Sequence, residues 1–101
     1  MENRMTGIWY CYLARCADKS LYCGVTVDLE RRMRCHNEGR GAKYTRSRRP
    51  VELFCARKFP DKRSAMSAEA KIKRAPAPRK PEFLHELALE AWKRHEFPSG
   101  V

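Results

Sequence analysis

The sequence lacks the features of a membrane-spanning or secreted protein. No apolar run in its 101 residues approaches the roughly 20 that a helix needs to cross a bilayer. Residues 1–7 contain no apolar stretch typical of a signal peptide. We therefore expect one cytoplasmic domain over residues 1–101 that makes no membrane contact, with a core at about 8–75 and a C-terminal helix at about 81–95.

Cysteine patterns typical of metal sites or disulfide frameworks are also missing. The five cysteines are odd in number, and no two of them are separated by two residues. Their spacing relative to His36 matches no usual zinc motif. We therefore expect reduced thiols, most of them acting as small buried hydrophobic side chains.

Acidic residues are scarce relative to basic ones, and this imbalance is the first functional indication. The chain has 22 lysines and arginines against 12 aspartates and glutamates, a formal net charge of +10. A field of this sign on a small protein favours polyanions such as DNA, RNA or an anionic membrane surface. The excess is concentrated between residues 31 and 49. We predict nucleic-acid contacts from residues of that segment: Arg31, Arg40, Lys43, Tyr44, Arg46, Arg48 and Arg49.

Periodicity predicts an α+β domain with the order β-β-α-β-α-α. Aromatic and β-branched runs indicate strands at 8–16, 21–25 and 51–59, and a polar turn joins the first two as an antiparallel hairpin. Helices are expected from Asp28 to about 37, from Asp61 to about 74, and from about 81 to 95, with both aspartates as caps. The segment between the first helix and Pro50 is expected to be a basic loop.

Scattered polar residues on these elements are the candidates for chemistry. Glu69 lies on the same helical stripe as Ala65 and Ile72, and a carboxylate that faces a core must be paired. A divalent metal, an ion pair with Lys73, or an ion pair with an arginine of the first helix would each satisfy it.

Other candidates lie on the first helix and the hairpin. Arg32 and His36, one turn apart, suit a phosphate clamp and a proton relay, or are ordinary helix-surface residues. Tyr12 and Tyr22 on the two strands are either sheet packing or candidate bases. Gly24 permits a close approach or a bend at the strand end.

In order and register these residues resemble the GIY-YIG nuclease family. The resemblance rests on the tripeptides 10–12 and 22–24, on Arg32 and His36 of the following helix, and on Glu69 of a later helix. It covers roughly residues 8–75 and is strongest to the small stand-alone bacterial YhbQ-like group, whose pattern residues 39–45 also fit. Cysteine replaces isoleucine in both tripeptides, Tyr10 replaces the first glycine, and no asparagine follows Glu69.

The resemblance implies a three-stranded antiparallel sheet flanked by helices and a role for each residue. Tyr22 would be the general base, Tyr12 would hold the attacking water, and Arg32 would position the phosphate. His36 would assist proton transfer or orient Tyr22, and Glu69 would bind a single Mg²⁺ or Mn²⁺.

The predicted function is that of a metal-dependent nuclease acting on DNA, single-stranded or structured, in repair or processing. A catalytically weak or inactive nucleic-acid-binding module with the same fold is the alternative. A membrane-surface or ribosome-associated basic protein ranks below both.

Overall fold

The computed structural model describes residues 7–96 and contains three strands and four α-helices in that range. The strands are β1 (Trp9–Arg15), β2 (Leu21–Thr26) and β3 (Glu52–Phe59). The helices are α1 (Leu29–Asn37), a short α2 (Lys43–Arg46), α3 (Lys62–Lys73) and α4 (Lys80–Glu96), and a 3-10 turn (Ala77–Arg79) precedes α4.

The three strands form one antiparallel sheet with β1 in the centre. The order is β2-β1-β3, and both pairings are antiparallel. Tyr12 lies opposite Gly24 of β2 and Ala56 of β3, which places the first tyrosine at the middle of the sheet. The predicted α+β class and three-stranded antiparallel sheet are therefore confirmed.

Both predicted helix caps form as expected. Asp28 Oδ1 accepts from the backbone N–H of Arg31 at 3.1 Å, and Asp61 Oδ1 accepts from that of Ser64 at 2.8 Å. Each carboxylate satisfies a backbone donor that a helix N-terminus leaves free and also favours the positive end of the helix dipole. The caps fix where α1 and α3 leave the sheet, and so they fix which side chains face it.

The sheet separates two clusters of buried side chains. Odd-numbered residues of β1, Cys11 and Leu13, belong to the larger cluster together with apolar residues of α3 and α4. The even-numbered residues Tyr12 and Ala14 belong to the smaller cluster, against which Leu29 and Met33 of α1 pack. Strand alternation thus directs neighbouring β1 residues to opposite helical layers.

The structure corrects the sequence-based description in one place. The segment expected to be a basic loop contains the four-residue helix α2, because Thr45 Oγ1 and two backbone N–H groups, those of Thr45 and Arg46, bond to the carbonyl of Ala42. The last helix begins at Lys80, within a residue of the expected start. In the described range no helix is long and apolar enough to cross a membrane, and all five cysteines are free.

Candidate active site

Tyr12 lies in a buried hydrogen-bonded group at the α1 face of the sheet. Its hydroxyl oxygen is 2.8 Å from Nε2 of His36 and accepts from Nε of Arg32 at 3.4 Å. Tyr12 and His36 both have 0% exposed surface. The helical spacing of Arg32 and His36 brings both to this tyrosine, as the four-residue interval of the sequence allows.

The direction of each proton in this group follows from Thr45. Its hydroxyl donates to the carbonyl of Ala42 at 3.0 Å, so its oxygen accepts from Nδ1–H of His36 at 2.8 Å. The unprotonated Nε2 of a neutral ring then accepts the hydroxyl proton of Tyr12. Burial, and after it the charge of Arg32, lowers the pKa of His36 and keeps the ring neutral.

Burial also acts on the acidity of Tyr12 itself. It raises the pKa of Tyr12 to about 12, although Arg32 opposes the shift through its hydrogen bond and charge. The phenol therefore remains protonated at neutral pH. Tyr12 in this structure is a fixed hydrogen-bond donor inside the protein, out of reach of bulk water.

Tyr22 is the more accessible of the two tyrosines. Its ring meets the edge of His36 with centroids 5.3 Å apart, and it stacks on Tyr44 at 6.1 Å. Hydrogen bonding to Tyr12 raises the pKa of Arg32, and the hydroxyl of Tyr22 acts in the same direction. The contact of Arg32 with the Tyr12 hydroxyl thus places its guanidinium next to the Tyr12–Tyr22 ring pair, whose centroids are 6.4 Å apart.

A shallow pocket gives access to this second tyrosine. It has a volume of about 300 Å³ and is lined by Leu21, Tyr22, Cys23, Tyr44, Lys73 and Lys80. A larger cavity of about 490 Å³ lies between the start of α3 and the end of α4 and is lined by neither tyrosine of the pair. Of the candidate catalytic residues, Tyr22 is the one that lines the smaller pocket.

Two glycines provide the space that this group occupies. A Cβ added at Gly24 would lie 2.6 Å from the Tyr12 hydroxyl oxygen, and one at Gly41 would lie 2.3 Å from Nδ1 of His36. Real side chains do not approach this closely. The predicted structural role of Gly24 is thus a close approach to Tyr12. Gly41 has the same role for His36.

Glu69 is on the opposite helical layer from Tyr12 and His36. Its side chain is 18% exposed, and Oε2 is 3.4 Å from Nζ of Lys73. The same Nζ lies 5.7 Å from the ring centre of Tyr22. The ion pair anticipated as the non-metal alternative is therefore present, and Lys73 links Glu69 to the site at the β2 edge.

The donor set at Glu69 fits a hard divalent cation. In the range 7–96 no three or more His, Cys, Asp or Glu residues form a group that could hold a metal. Mg²⁺ is commonly bound through one or two carboxylates, with water and substrate phosphate completing its oxygen ligands. Glu69 can supply that one carboxylate, with the cation replacing Lys73 as its partner.

The predicted nucleic-acid-binding residues divide into exposed and internally bonded side chains. Arg31, Lys43 and Arg46 are exposed. Arg48 lies 3.8 Å from the ring centre of Tyr44 and donates to Asp18 at 3.0 Å.

The remaining two arginines also have partners within the protein. Arg40 pairs with Glu38, and Arg49 donates to the carbonyls of Arg46 and Asn37. The internally bonded arginines hold the segment in place, but Arg40 and Arg49 are also exposed and so remain available to phosphate together with Arg31, Lys43 and Arg46.

Sequence reasoning missed the groups that position His36. Thr45 and Gly41 fix its tautomer and its space, and Asn37 holds the following segment by pairing both its amide atoms with the backbone of Val51, at 2.7 and 2.8 Å. Gly41 and Thr45 belong to the 39–45 stretch that carries part of the family resemblance. That stretch was the available signal, since nothing in its periodicity indicates a contact with His36.

Comparison with known proteins gives a matching family model, similar sequences and a similar solved structure. A family model described as the GIY-YIG catalytic domain matches residues 8–81. A UPF0213 protein of Streptococcus pneumoniae serotype 4 is 53% identical over 77 residues, which cover 76% of this chain and 78% of the relative. A UPF0213 protein of Bacillus pumilus is 46% identical over 87 residues, 86% and 89% of the two chains. A solution NMR structure of an E. faecalis protein is 38% identical with a TM-score of 0.57, covering 88% of this chain and 93% of that chain.

The fold and the site define a small basic α+β domain in which a buried group of Tyr12, Arg32 and His36 adjoins Tyr22, which lines an accessible pocket. This chain belongs to the GIY-YIG family, a family of nucleases, and it is similar to the small stand-alone UPF0213 proteins of bacteria. The resemblance expected from the tripeptides is therefore confirmed. Family membership implies nucleic acid as a partner.

Proposed function

We propose that this protein is a nuclease that requires Mg²⁺ or Mn²⁺ and hydrolyses phosphodiester bonds of DNA in single-stranded or structured form. The observation that supports it most is the meeting of Tyr12, Tyr22, Arg32 and His36 on the α1 face of the sheet. Phosphodiester hydrolysis needs a base for water and fixed positive charge for the phosphorus oxygens. Tyr22 and Arg32 can supply these two parts.

Tyr22 is the candidate general base because it lines the accessible pocket, whereas Tyr12 is enclosed. Acting as or toward phenolate beside Arg32, it accepts a proton from water. The water oxygen then bonds to phosphorus as the bond to the leaving oxygen breaks. Arg32 holds the phosphate and stabilises its growing charge through the geometry of its guanidinium group.

Tyr12 and His36 act in this scheme by positioning Arg32. The Thr45–His36–Tyr12 chain directs a hydroxyl lone pair of Tyr12 at Nε of Arg32, and the terminal nitrogens of the guanidinium would bind phosphate. This role replaces the expected one in which Tyr12 holds the attacking water. Glu69 would hold the divalent ion, which would stabilise negative charge on the leaving oxygen.

The test is a cleavage assay on single-stranded, duplex, flap and junction DNA and on single-stranded RNA, with Mg²⁺, Mn²⁺ or a chelator. We expect cleavage of unpaired or branched DNA that the chelator abolishes and that Glu69→Gln reduces at least about 100-fold. Glu30→Gln is the matched control, since that carboxylate is exposed on α1. Equal cutting by wild type and Glu69→Gln, or no cutting of any substrate, would contradict the proposal.

The competing function is nucleic-acid binding without cleavage, and the Glu69–Lys73 ion pair favours it because that pair gives the carboxylate a structural partner. Binding affinity measured against salt separates the two. Replacing Lys43 and Arg46 with alanine should lower the salt slope by about 0.7–0.9 per lost phosphate contact. Arg94→Ala, exposed on α4, should leave the slope unchanged. Salt-dependent binding by a chain that cuts nothing would establish the non-catalytic function.

A further inference from the structure

The two cysteines at the centres of the tyrosine tripeptides lie next to each other. Sγ of Cys11 in β1 is 3.7 Å from Sγ of Cys23 in β2. Cys11 pairs with Val25 and Leu13 with Cys23, so the two are diagonal neighbours on the same face of the sheet. A disulfide bond has a length of about 2.05 Å, so the two sulfur atoms must approach each other by about 1.6–1.7 Å.

The other cysteines are less suited to such a bond. Cys55 and Cys23 both lie opposite Leu13 on either side of β1, which separates them by two strand spacings of about 4.8 Å each. Disulfide geometry requires Cα atoms closer than about 7 Å. Diagonal neighbours such as Cys11 and Cys23 lie about 7–8 Å apart, so their strands must draw slightly together when the bond forms. Cys16 and Cys35 are outside this cluster. Cys11 and Cys23 are the pair with adjacent sulfurs.

Both members of the pair are buried, but Cys23 is 4% exposed and Cys11 is 0% exposed. Cys23 lines the pocket beside Tyr22, where Lys73 and Lys80 supply positive charge. Cys11 has 0% exposed surface, and its hydrogen bond to Cys23, followed by burial, raises its pKa. A small oxidant therefore reaches Cys23 first. Cys11 stays protonated beside it.

We propose that Cys11 and Cys23 form a reversible disulfide when the protein meets a peroxide. The thiolate of Cys23 attacks one oxygen of hydrogen peroxide, the O–O bond breaks, and Cys23 becomes a sulfenic acid with release of hydroxide. The Cys11 sulfur then attacks the Cys23 sulfur, the S–O bond breaks, and water leaves with the Cys11 proton. Peroxide is reduced and two thiols are oxidised, and an added dithiol reverses the change.

The bond would act on the candidate site through the strands. Each cysteine is flanked by a site tyrosine, and Tyr12 already lies so close to Gly24 that no Cβ fits between them. Drawing β1 and β2 together along the diagonal changes that contact and the position of Tyr22. Oxidation should therefore lower cleavage and a dithiol restore it, a consequence that rests on the proposed nuclease function.

The test measures the bond itself. The wild-type protein is treated with hydrogen peroxide, alkylated in denaturant and weighed, and the number of alkylated thiols should fall from five to three. Trypsin cuts after Arg15 and Lys19, so the linked product is a peptide of residues 5–15 joined to one of residues 20–31. Cys35→Ser should retain this product, whereas Cys11→Ser and Cys23→Ala should each lose it.

Two results would overturn the proposal. One is a Cys23 oxidised to sulfinic acid while Cys11 remains alkylatable, and the other is a linked peptide that contains Cys55 in place of either partner. Because the wild-type chain is mapped directly, a variant that fails to fold leaves the test intact. A disulfide found in a chain that cuts no nucleic acid would support the modification site and reject only its effect on cleavage.

Discussion

The two faces of the sheet are built by different means although one strand supplies both. On the α3–α4 face β1 contributes Cys11 and Leu13 to a cluster whose buried members are apolar. On the α1 face it contributes Tyr12, which makes hydrogen bonds to His36 and Arg32. The first face is stabilised by buried apolar area, and the second depends on pairing polar atoms that are out of water.

This difference shows why the polar groups lie where they do. Among residues 7–96 no buried side-chain nitrogen or oxygen is left without a hydrogen-bond partner. The α1 face achieves this because Thr45 and Ala42 complete the chain that begins at Tyr12. In this hydrogen-bonded chain each proton has one position and each side chain one orientation. Such fixed geometry is more typical of a functional site than of an apolar core.

The largest expected effect is a loss of the proposed cleavage activity when the α1 face is changed at Arg32. Arg32→Ala should reduce the proposed cleavage by about 10²–10³-fold, since it removes a fixed charge aimed at the phosphate. Arg34→Ala, two residues on and exposed, should remain within about threefold of wild type. Single-turnover kinetics measures both. Comparable losses in the two variants would mean that Arg32 acts only through net charge.

The next largest effect is a loss in the free energy of unfolding, which can be compared between the two faces of the sheet. Leu84→Ala removes a fully buried side chain from the α3–α4 face and should cost about 2–5 kcal/mol. Tyr12→Phe keeps the ring but leaves Nε2 of His36 without its donor, which costs about 1–3 kcal/mol. Urea unfolding gives both free energies. A Tyr12→Phe variant as stable as wild type would show that the hydrogen bonds contribute nothing net.

A smaller effect tests the contact between the strands. Gly24→Ala forces its new methyl group against Tyr12 and should cost about 1–3 kcal/mol through overpacking. Combining it with Tyr12→Phe, which removes the nearest atom, should give a double variant more stable than the sum of the two losses predicts. Strict additivity in unfolding free energy would mean that the tyrosine does not set the cost.

The smallest effect is a pH dependence confined to the α1 face. Because the pKa of His36 is lowered in the folded state, the unfolded chain binds a proton below about pH 6.5 that the folded chain does not. Stability that is present above this pH should therefore decline as the pH falls toward the folded-state value. NMR titration should show the His36 ring gaining its proton below pH 6.5, because its pKa is lowered by burial and by Arg32. A His36 ring that gains its proton at or above that pH would reject the buried neutral imidazole.

Sequence reasoning predicted the elements well because their signals are local. Asp28 and Asp61 each precede an amphipathic run, and both cap a helix within a residue of the expected start. The tripeptides and the Arg32–His36 spacing identified side chains that do meet. The link between His36 and Thr45 depends on how residues 38–42 turn back onto α1, and nothing in their composition specifies that path.

The position of Glu69 was also only half predictable. Its stripe on α3 is set by periodicity, with Ala65 and Ile72 buried as expected. The local sequence does not specify which face of the sheet α3 covers. Because α3 packs on the face opposite to Tyr12, Glu69 and Tyr12 lie on different sides of the sheet. The roles assigned to the site residues and the divalent ion stay predictions until the cleavage assays are done.

The distribution of aromatic residues provides a pair of built-in optical reporters. Trp9 packs on the α3–α4 cluster, and Trp92 of α4 donates its indole N–H to the carbonyl of Lys58. Tyr12, Tyr22 and Tyr44 are instead grouped around His36 and the pocket. Indole fluorescence therefore follows the assembly of the apolar layer, while phenol absorbance follows the site, and a single unlabelled sample can be monitored for both.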